Sequence, residues 1–298
     1  RNNLIPCGDI AHWTDPKGGY FISLYVMPGC AKRVANLCKE AGLTLTGAGS
    51  AYPYHKDPQD SHLRIAPTYP SLDEVETASE LLCVCVRLAV VEKLLAGAET
   101  TGAELVICNG CPVTEDGARH PLPVDEQFTK DTLLDVDAFW DAFHTPWINQ
   151  FTGTAHRLYA ARLFDGVRYP VGLLHEDYYV LPDLIAHCSA VYCMAFTGYY
   201  VLRHAGSITD GARHEVRLAM TKGDIHRAEY FLRNGWYDRA EGALTDAALF
   251  LHDNKRAYDL TKPGHRAEFA ETKRELCRVY DALAAQKGSA SMKLRPPH

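Results

Sequence analysis

Residues 92–110 read EKLLAGAETTGAELVICNG, and the fold turns on how this stretch is divided. Glu92-Lys93-Leu94-Leu95 continues a helical pattern that places Leu88, Val91 and Leu95 on one apolar face. Thr100-Thr101-Gly102 breaks the pattern. Ala103 to Cys108 then reads as a buried strand, ended by an Asn109-Gly110 turn. No low-complexity linker lies between helix and strand. The stretch therefore predicts a single helix, roughly Leu72 to Thr100, that closes the structure before it and opens the structure after it. The joint is expected to be stiff.

Upstream, Asp15-Pro16-Lys17-Gly18-Gly19 is turn material, and Tyr20 to Val26 reads as a strand stopped by Pro28-Gly29. Cys30 to Ala41 has helical spacing, with Ala31, Val34, Ala35, Leu37, Cys38 and Ala41 on its apolar face and Gly42 at its stop. A short strand over Leu43 to Thr46, a Gly/Tyr/Pro-rich loop over 47–62 and a strand over Leu63 to Pro67 follow. Ser71-Leu72-Asp73-Glu74 is a capping-box pattern that opens the seam helix. The order β-α-β-loop-β-α describes a compact α/β unit.

PKGGYFISL, KEAGLTLTGAG, AYPYHKDPQDSHLRIAPTYPS and LDEVETASELL occur in that order, and together they resemble the carboxy-terminal small domain of fold-type I PLP-dependent aminotransferases, nearest the aspartate/MocR-like branch. The resemblance implies that Arg64 grips a substrate α-carboxylate, which suits the planar donor fork of a guanidinium. Read without it, Arg64 is an arginine that pairs with a surface acid. Gly18 and Gly19 match the glycine pair near the substrate entrance of that family; alone they are a turn. The family's Schiff-base lysine, pyridine-nitrogen acid and phosphate cup lie upstream of this region. Lys17, Lys32, Lys39 and Lys56 do not stand in its lysine motif. The chain alone is therefore not expected to hold PLP or to transaminate.

Downstream, Asp135 to Phe143 reads as a helix and Thr145-Pro146-Trp147 begins a segment running to Phe164. Glu115-Asp116-Gly117 and Asp165-Gly166 are turns, and Tyr178 to about Ala190 is helical. Val191 to Phe196 and Gly198 to His204 are two strands joined by a tight turn. Helices are expected over His214 to Lys222, Asp224 to Asn234, Tyr237 to Phe250 and Ala267 to Ala284, with a loose tail from Lys287. GAELVICN, RLYAARLFDGVRYPVGLLHEDYYVLPDLI and YYVLRHAGSIT resemble the distal half of inverting family-2 glycosyltransferases of the GT-A fold. That resemblance makes Asp177 the base that takes a proton from an acceptor hydroxyl, with Glu176 and His175 in support. A helix N-terminus would favour the ionised carboxylate; plain helix capping is the other reading. Arg203, His204 and Ser207 would meet the acceptor or a diphosphate, or else form a solvated loop. The nucleotide-sugar site and its divalent metal would lie upstream in that family. Asp135-Val136-Asp137 is placed as a helix cap rather than as the metal motif.

The fold class expected is α/β: an aminotransferase small-domain-like unit over 1–96, a partial GT-A-like unit over 97–210 and a helical tail over 211–298. Ten cysteines in 298 residues, mostly inside apolar runs, read as reduced and buried, which fits a cytoplasmic protein. Cys108-Asn109-Gly110-Cys111 lacks the second pair a zinc ribbon needs, so no metal site is expected. A net charge of −6 gives no reason to expect nucleic acid. No apolar run reaches membrane-spanning length and no signal peptide is visible. The chain starts at Arg1, which suggests a processed or excised piece. Three functional readings follow. The first is a composite of transferase pieces, incomplete for either reaction unless a partner chain supplies the rest. The second is a fragment of an aspartate-type aminotransferase. The third is a non-catalytic structural or interaction protein or an artificial chimera. Domain faces that normally pack on larger partners point to self-association or a partner chain.

Overall fold

The structure, a computed structural model, describes residues 4, 8, 10–114, 118–120, 128–143, 154–204, 214–254 and 260–295. The Glu115-Asp116-Gly117 turn, the start of the Thr145 segment and Ser207 lie outside the described residues. In chain order the elements are β1 (His12–Trp13), β2 (Ile22–Tyr25), α1 (Ala31–Glu40), β3 (His62–Ile65), α2 (Leu72–Thr101), β4 (Leu105–Thr114), β5 (Thr132–Asp135), α3 (Val136–Phe143), β6 (Arg157–Tyr159), α4 (Glu176–Ala186), β7 (Ala190–Arg203), α5 (His214–Arg233), α6 (Tyr237–Asn254) and α7 (Pro263–Lys287). Strands β1-β2-β3 form an antiparallel sheet. A second sheet has the order β5-β7-β4-β6, with β4 and β7 parallel and both edge strands antiparallel. The fold is mixed α/β. No described helix is long and apolar enough to cross a membrane.

The seam helix runs unbroken from Leu72 to Thr101. Ser71 accepts the Glu74 N–H while Glu74 reaches back to the Ser71 N–H, so the capping box forms. Gly102 stops the helix in the left-handed conformation at φ 72°, a position that favours glycine. The expected boundary at 96/97 thus falls inside α2. Its buried residues are Leu82, Cys83, Cys85, Val86, Ala89, Val90, Leu94 and Gly97. The face expected to be buried, Leu88, Val91 and Leu95, is instead exposed. The helix is apolar on more than one side, and periodicity alone does not choose which side meets the core.

Core residues from both sheets gather on α2. Leu24, Val34 and Leu63 of the first sheet and α1 share one cluster with Val106, Cys108, Met194 and Phe196 of the second. Gly97 lets the second sheet approach: a Cβ there would stand 3.1 Å from Met194 Sδ and from the Tyr192 ring. Lys93 donates to the Pro28 carbonyl at 2.5 Å and lies 4.5 Å from the Phe196 ring centroid, linking the loop after β2 to β7.

Three glycine-containing sites depart from the sequence expectation. Asn109-Gly110 is no turn; β4 continues to Thr114 beside β7, with register shifts at Cys108/Asn109 and Asn109/Gly110. Asp131 holds the irregular part of β7 by accepting the Ala195 N–H at 2.8 Å and the Tyr192 hydroxyl at 3.1 Å. Thr197-Gly198 is no turn either, and β7 is one strand of 14 residues. Gly198 is there because a Cβ would sit 2.2 Å from Cys108 Sγ on the neighbouring strand. Likewise the two helices expected on either side of Gly223 are one, α5, and the Tyr178 ring fills the space a Cβ at Gly223 would take. The expected strand over Leu43 to Thr46 does not form.

By its contacts the chain divides into two units: 1–160 with 189–204, and 161–188 with 205–298. In the second, α4, α5, α6 and α7 surround a core that includes Leu218, Phe231, Leu244, Leu276 and Leu283. The Tyr178 hydroxyl donates to Asp224 and accepts from Arg227, whose other nitrogen reaches Asp224 at 3.0 Å and Asp246 at 3.2 Å. The described part of the tail expected to be loose is docked, since Glu241 accepts the N–H groups of Lys293 and Leu294 and Tyr280 donates to the Leu294 carbonyl.

Two measurements check this account. Gly198→Ala should destabilise the first unit by about 1–3 kcal/mol in chemical denaturation, and Cys108→Ala in the same chain should return part of the loss, because it removes the sulfur the new methyl meets. The second concerns Glu104, which accepts from the Ser189 hydroxyl and from the N–H groups of Ser189 and Ala190 at 2.7–3.0 Å. Burial pushes its carboxyl up, but these bonds outweigh burial and hold it at about 2, against an ordinary 4.5. A depressed folded-state value means stability that is complete above pH 4.5 and is lost as pH falls towards 2. Wild-type protein should therefore lose about 1–2 kcal/mol more than Glu104→Gln between pH 5 and pH 2.5, after allowance for solvent screening, as read from urea midpoints.

Candidate functional site

Strand alternation sorts the first sheet into two faces. Leu24 pairs with Leu63 and Ile22 with Ile65; Leu24 and Leu63 lie in the core cluster shared with α1 and α2, Ile65 packs against it, and alternation puts Ile22 on the same face. On the opposite face, His12, Tyr25 and His62 stand opposite one another in a single row across the three strands, and Ser23 stands opposite Arg64 in the next. The row is a run of touching rings: His12 stacks on Tyr25 at 4.6 Å, Tyr25 meets His62 edge-on at 5.0 Å, and Tyr52 covers His62 at 5.7 Å. Tyr200 of β7 approaches His12 at 6.1 Å, and the Arg119 guanidinium lies 5.1 Å from the Tyr200 ring. Burial first, and Arg119 second, push His12 down to about 4, so the imidazole is neutral at pH 7.

Arg64 lies beside this row with its guanidinium carbon 4.6 Å from the Phe21 ring centroid. Among the described residues no carboxylate pairs with it, and its Nε is buried without a hydrogen-bond partner. His12 Nδ1 and His62 Nδ1 are buried and unpartnered as well. Three unsatisfied polar nitrogens on one face of a small sheet are unusual, because buried polar groups are normally paired. The reading of Arg64 as half of a surface ion pair is not what the structure shows. A cavity of about 230 Å³ is lined by Arg64 together with Ile22, Leu45, Ile65, Val75 and Leu82.

The strand carrying Arg64 is set by the loop before it. Asp57 accepts the N–H groups of Gln59, Ser61 and His62 at 3.0, 2.7 and 2.8 Å. Burial opposes ionisation of this carboxyl, yet the bonds from Ser61, His62 and Gln59 keep it below the usual range. Tyr54, His55 and Asp60 in the same loop have φ between 48° and 56°, a left-handed conformation that non-glycine residues adopt only when neighbours enforce it. Asp57, Phe21 and His62 were not singled out from the sequence. Only Asp57-Pro58 carried a signal, as a turn-initiating pair. Gly18 and Gly19 lie in an exposed bend, and the φ of 97° at Gly19 fits the plain turn reading.

Residues 2–98 match the family described as aspartate amino-transferase. Over 83 residues the chain is 55% identical to a Corynebacterium glutamicum protein named aspartate aminotransferase, covering 28% of this chain and 19% of that one. Over 86 residues it is 59% identical to a Mycolicibacterium smegmatis protein whose name places it among aminotransferases, covering 29% and 20%. A solved structure of an aspartate transaminase from C. glutamicum matches at 48% identity over 31% of this chain and 23% of that one, with a TM-score of 0.29. The first hundred residues are an aspartate aminotransferase-like domain. The chain spans about a fifth of the length of these curated relatives.

The glycosyltransferase resemblance gains no such support. The comparisons give no evidence for a GT-A segment over 97–210, and that stretch does not fold as one body: 161–188 belongs to one unit and the rest of its described residues to the other. His175, Glu176 and Asp177 open α4 in the second unit, whereas Arg203 and His204 lie at the exposed end of β7 in the first. The N-cap of α4 is His175, held at φ 52° without a side-chain cap, and Asp177 accepts the Tyr178 N–H at 2.8 Å. Asp135 is a helix cap, accepting the Ala138 N–H at 2.8 Å. No cluster of metal-ligating side chains occurs among the described residues, and Cys108 and Cys111 are buried in β4.

Asp57→Ala should lower the stability of the first unit by about 1–3 kcal/mol, because three backbone donors lose their acceptor. Amide exchange should rise at Gln59, Ser61 and His62. Unchanged protection there would show that the loop is held by other contacts.

Proposed function

We propose that the aminotransferase-like domain binds the carboxylate of an amino acid or 2-oxo acid, with Arg64 as the anchoring group. The carrying observation is the guanidinium that lies over the Phe21 ring and, among the described residues, has no carboxylate paired with it. A guanidinium in that state offers parallel N–H donors in the geometry a carboxylate accepts. The position is also the one the aminotransferase resemblance assigns to this role. Of the readings open from the sequence, the piece of an aspartate-type aminotransferase therefore fits better than the sugar-transfer composite.

The resemblance to PLP-dependent aminotransferases implies PLP for complete enzymes of that family. PLP chemistry requires a lysine for the Schiff base and an acid at the pyridine nitrogen. The face around Arg64 presents Phe21, Ser23, Tyr25, His12 and His62, none of which can serve. Lys93 is engaged by Pro28 and Phe196, and Asp57 by three backbone donors. These residues do not fit the cofactor, so no catalytic step is assigned to them. The domain's part is to recognise a carboxylate.

Titration with 2-oxoglutarate, aspartate and succinate, followed by amide NMR shifts, tests this. Shifts should centre on Phe21, Ser23 and Arg64, and Arg64→Gln should weaken binding at least tenfold while leaving the melting temperature within a few degrees. Equal affinity in Arg64→Gln would refute the assignment. A visible aldimine band on mixing with PLP would overturn the conclusion that none of the described lysines is suitably placed.

A further inference from the structure

Gly42, at φ 89°, ends α1 and turns the chain back on it. The Gly42 and Leu43 N–H groups cap the Lys39 and Cys38 carbonyls at 3.1 and 2.8 Å. Leu43 and Leu45 pack against the core, and residues 44–48 return along the helix. On α1, spacings of three and four place Lys32, Ala35, Asn36 and Lys39 on one side. A cavity of about 240 Å³ lies along that side, lined by these four residues and by Thr44 and Gly47 of the returning segment. Ala35, small between two long lysines, leaves the room.

Both charged residues that line the cavity are basic. Among the described residues neither the Lys32 nor the Lys39 ammonium meets a carboxylate, and the Asn36 amide and Thr44 hydroxyl have no hydrogen-bond partner. Neighbouring acids are engaged: Arg33 holds Glu92 at 2.7 Å and Glu40 at 3.3 Å, and Asp60 accepts the Lys32 backbone N–H at 3.2 Å. The strand expected over Leu43 to Thr46 does not form, and among the described residues nothing accepts the N–H groups of Thr44, Leu45, Gly47 and Ala48. A lone surface lysine is simply solvated. Here two unpaired cations border one hollow, with neutral donors between them and no acid in its walls, which concentrates positive potential there.

We propose that this cavity binds a phosphate dianion, either free or at the end of a small phosphorylated molecule. Two ammonium groups match its two charges, and an ammonium binds phosphate as a point charge without needing a planar fork. About 10 Å of helix separates the two lysines, a gap their flexible four-carbon stems close around a ligand placed between them. The amide, the hydroxyl and the backbone N–H groups supply donors from other directions, as a tetrahedral oxyanion requires. A planar carboxylate is better served by a guanidinium such as Arg64. With a water occupying about 30 Å³, the cavity exceeds a phosphate ion and leaves space for the group it esterifies.

Amide NMR of the full chain, titrated with sodium phosphate against sodium chloride at constant ionic strength, tests this. Shifts should centre on Asn36, Thr44, Gly47 and Ala48, with a dissociation constant of about 1 mM, as exposed ion pairs allow. Lys32→Gln and Lys39→Gln should each raise that constant at least threefold and together abolish binding, with unchanged melting temperature, since both lysines are exposed. Ala35→Gln keeps both charges but fills the cavity, and should weaken binding at least threefold. Lys17→Gln, an exposed lysine elsewhere, should leave it unchanged. Glycerol 3-phosphate that binds at least threefold tighter than inorganic phosphate assigns the cavity to a phosphorylated molecule; equal affinity assigns it to the free ion. Absence of saturable shifts up to about 10 mM phosphate overturns the proposal, as does binding that survives the double lysine variant. Binding unaffected by Ala35→Gln reduces the site to general surface charge and overturns it too. Succinate that shifts the same amides with equal affinity overturns the choice of phosphate.

Discussion

One helix that is apolar on more than one side must be covered on more than one side. That constraint organises the first unit. Val86, Ala89, Val90 and Leu94 of α2 lie in the same cluster as Leu24 and Leu63 from one sheet and Val106 and Phe196 from the other. Neither sheet is large enough to bury its inner face alone, for the first has strands of two to four residues. Each uses α2 as its second layer. Gly97 supplies the close approach on one side, and Lys93, reaching from Pro28 to Phe196, crosses from one sheet's loop to the other sheet's strand.

The sharing has a consequence for the site. With Leu24 and Leu63 directed to the core, the pleat sends Tyr25, His62, Ser23 and Arg64 to the opposite face together. The same packing that closes the core therefore selects which side chains share the face of Arg64. A slip of one residue in the β2–β3 register would bury Arg64 and expose Leu63. Asp57, by fixing the N–H groups of Ser61 and His62 just ahead of β3, limits that slip. The carboxylate-binding reading thus depends on core geometry as much as on the arginine itself.

Much of this was legible in the residues. The capping box at Ser71, the stop at Gly102 and the unbroken length of α2 follow from local chemistry, and Arg64 was found through the motif around it. Glycine was the recurrent source of error. Gly110, Gly198 and Gly223 read as punctuation, yet each lies inside a regular element. At Gly198 and Gly223 the reason is a neighbour that fills the space a Cβ would take: Cys108 Sγ and the Tyr178 ring. A neighbour distant in sequence leaves no local trace, so a glycine placed for contact looks like one placed for a turn. Phe21, Asp57 and His62 were missed for a related reason. Their roles come from what pairs across strands and loops, not from their own spacing.

The sequence by itself determined the capped helix at the centre, the strands and helix that became β2, α1 and β3, and the likeness of that segment to aspartate aminotransferases. These rest on short-range hydrogen bonding, periodicity and motif order, all of which a linear chain carries. Only the tertiary structure decided which face of α2 is buried, that Arg64 stands unpaired by any described carboxylate beside a row of rings, and that 161–188 and 189–204 belong to different units. Those outcomes depend on which distant surfaces compete for the same apolar area, and an apolar residue is equally apolar whether or not a partner reaches it.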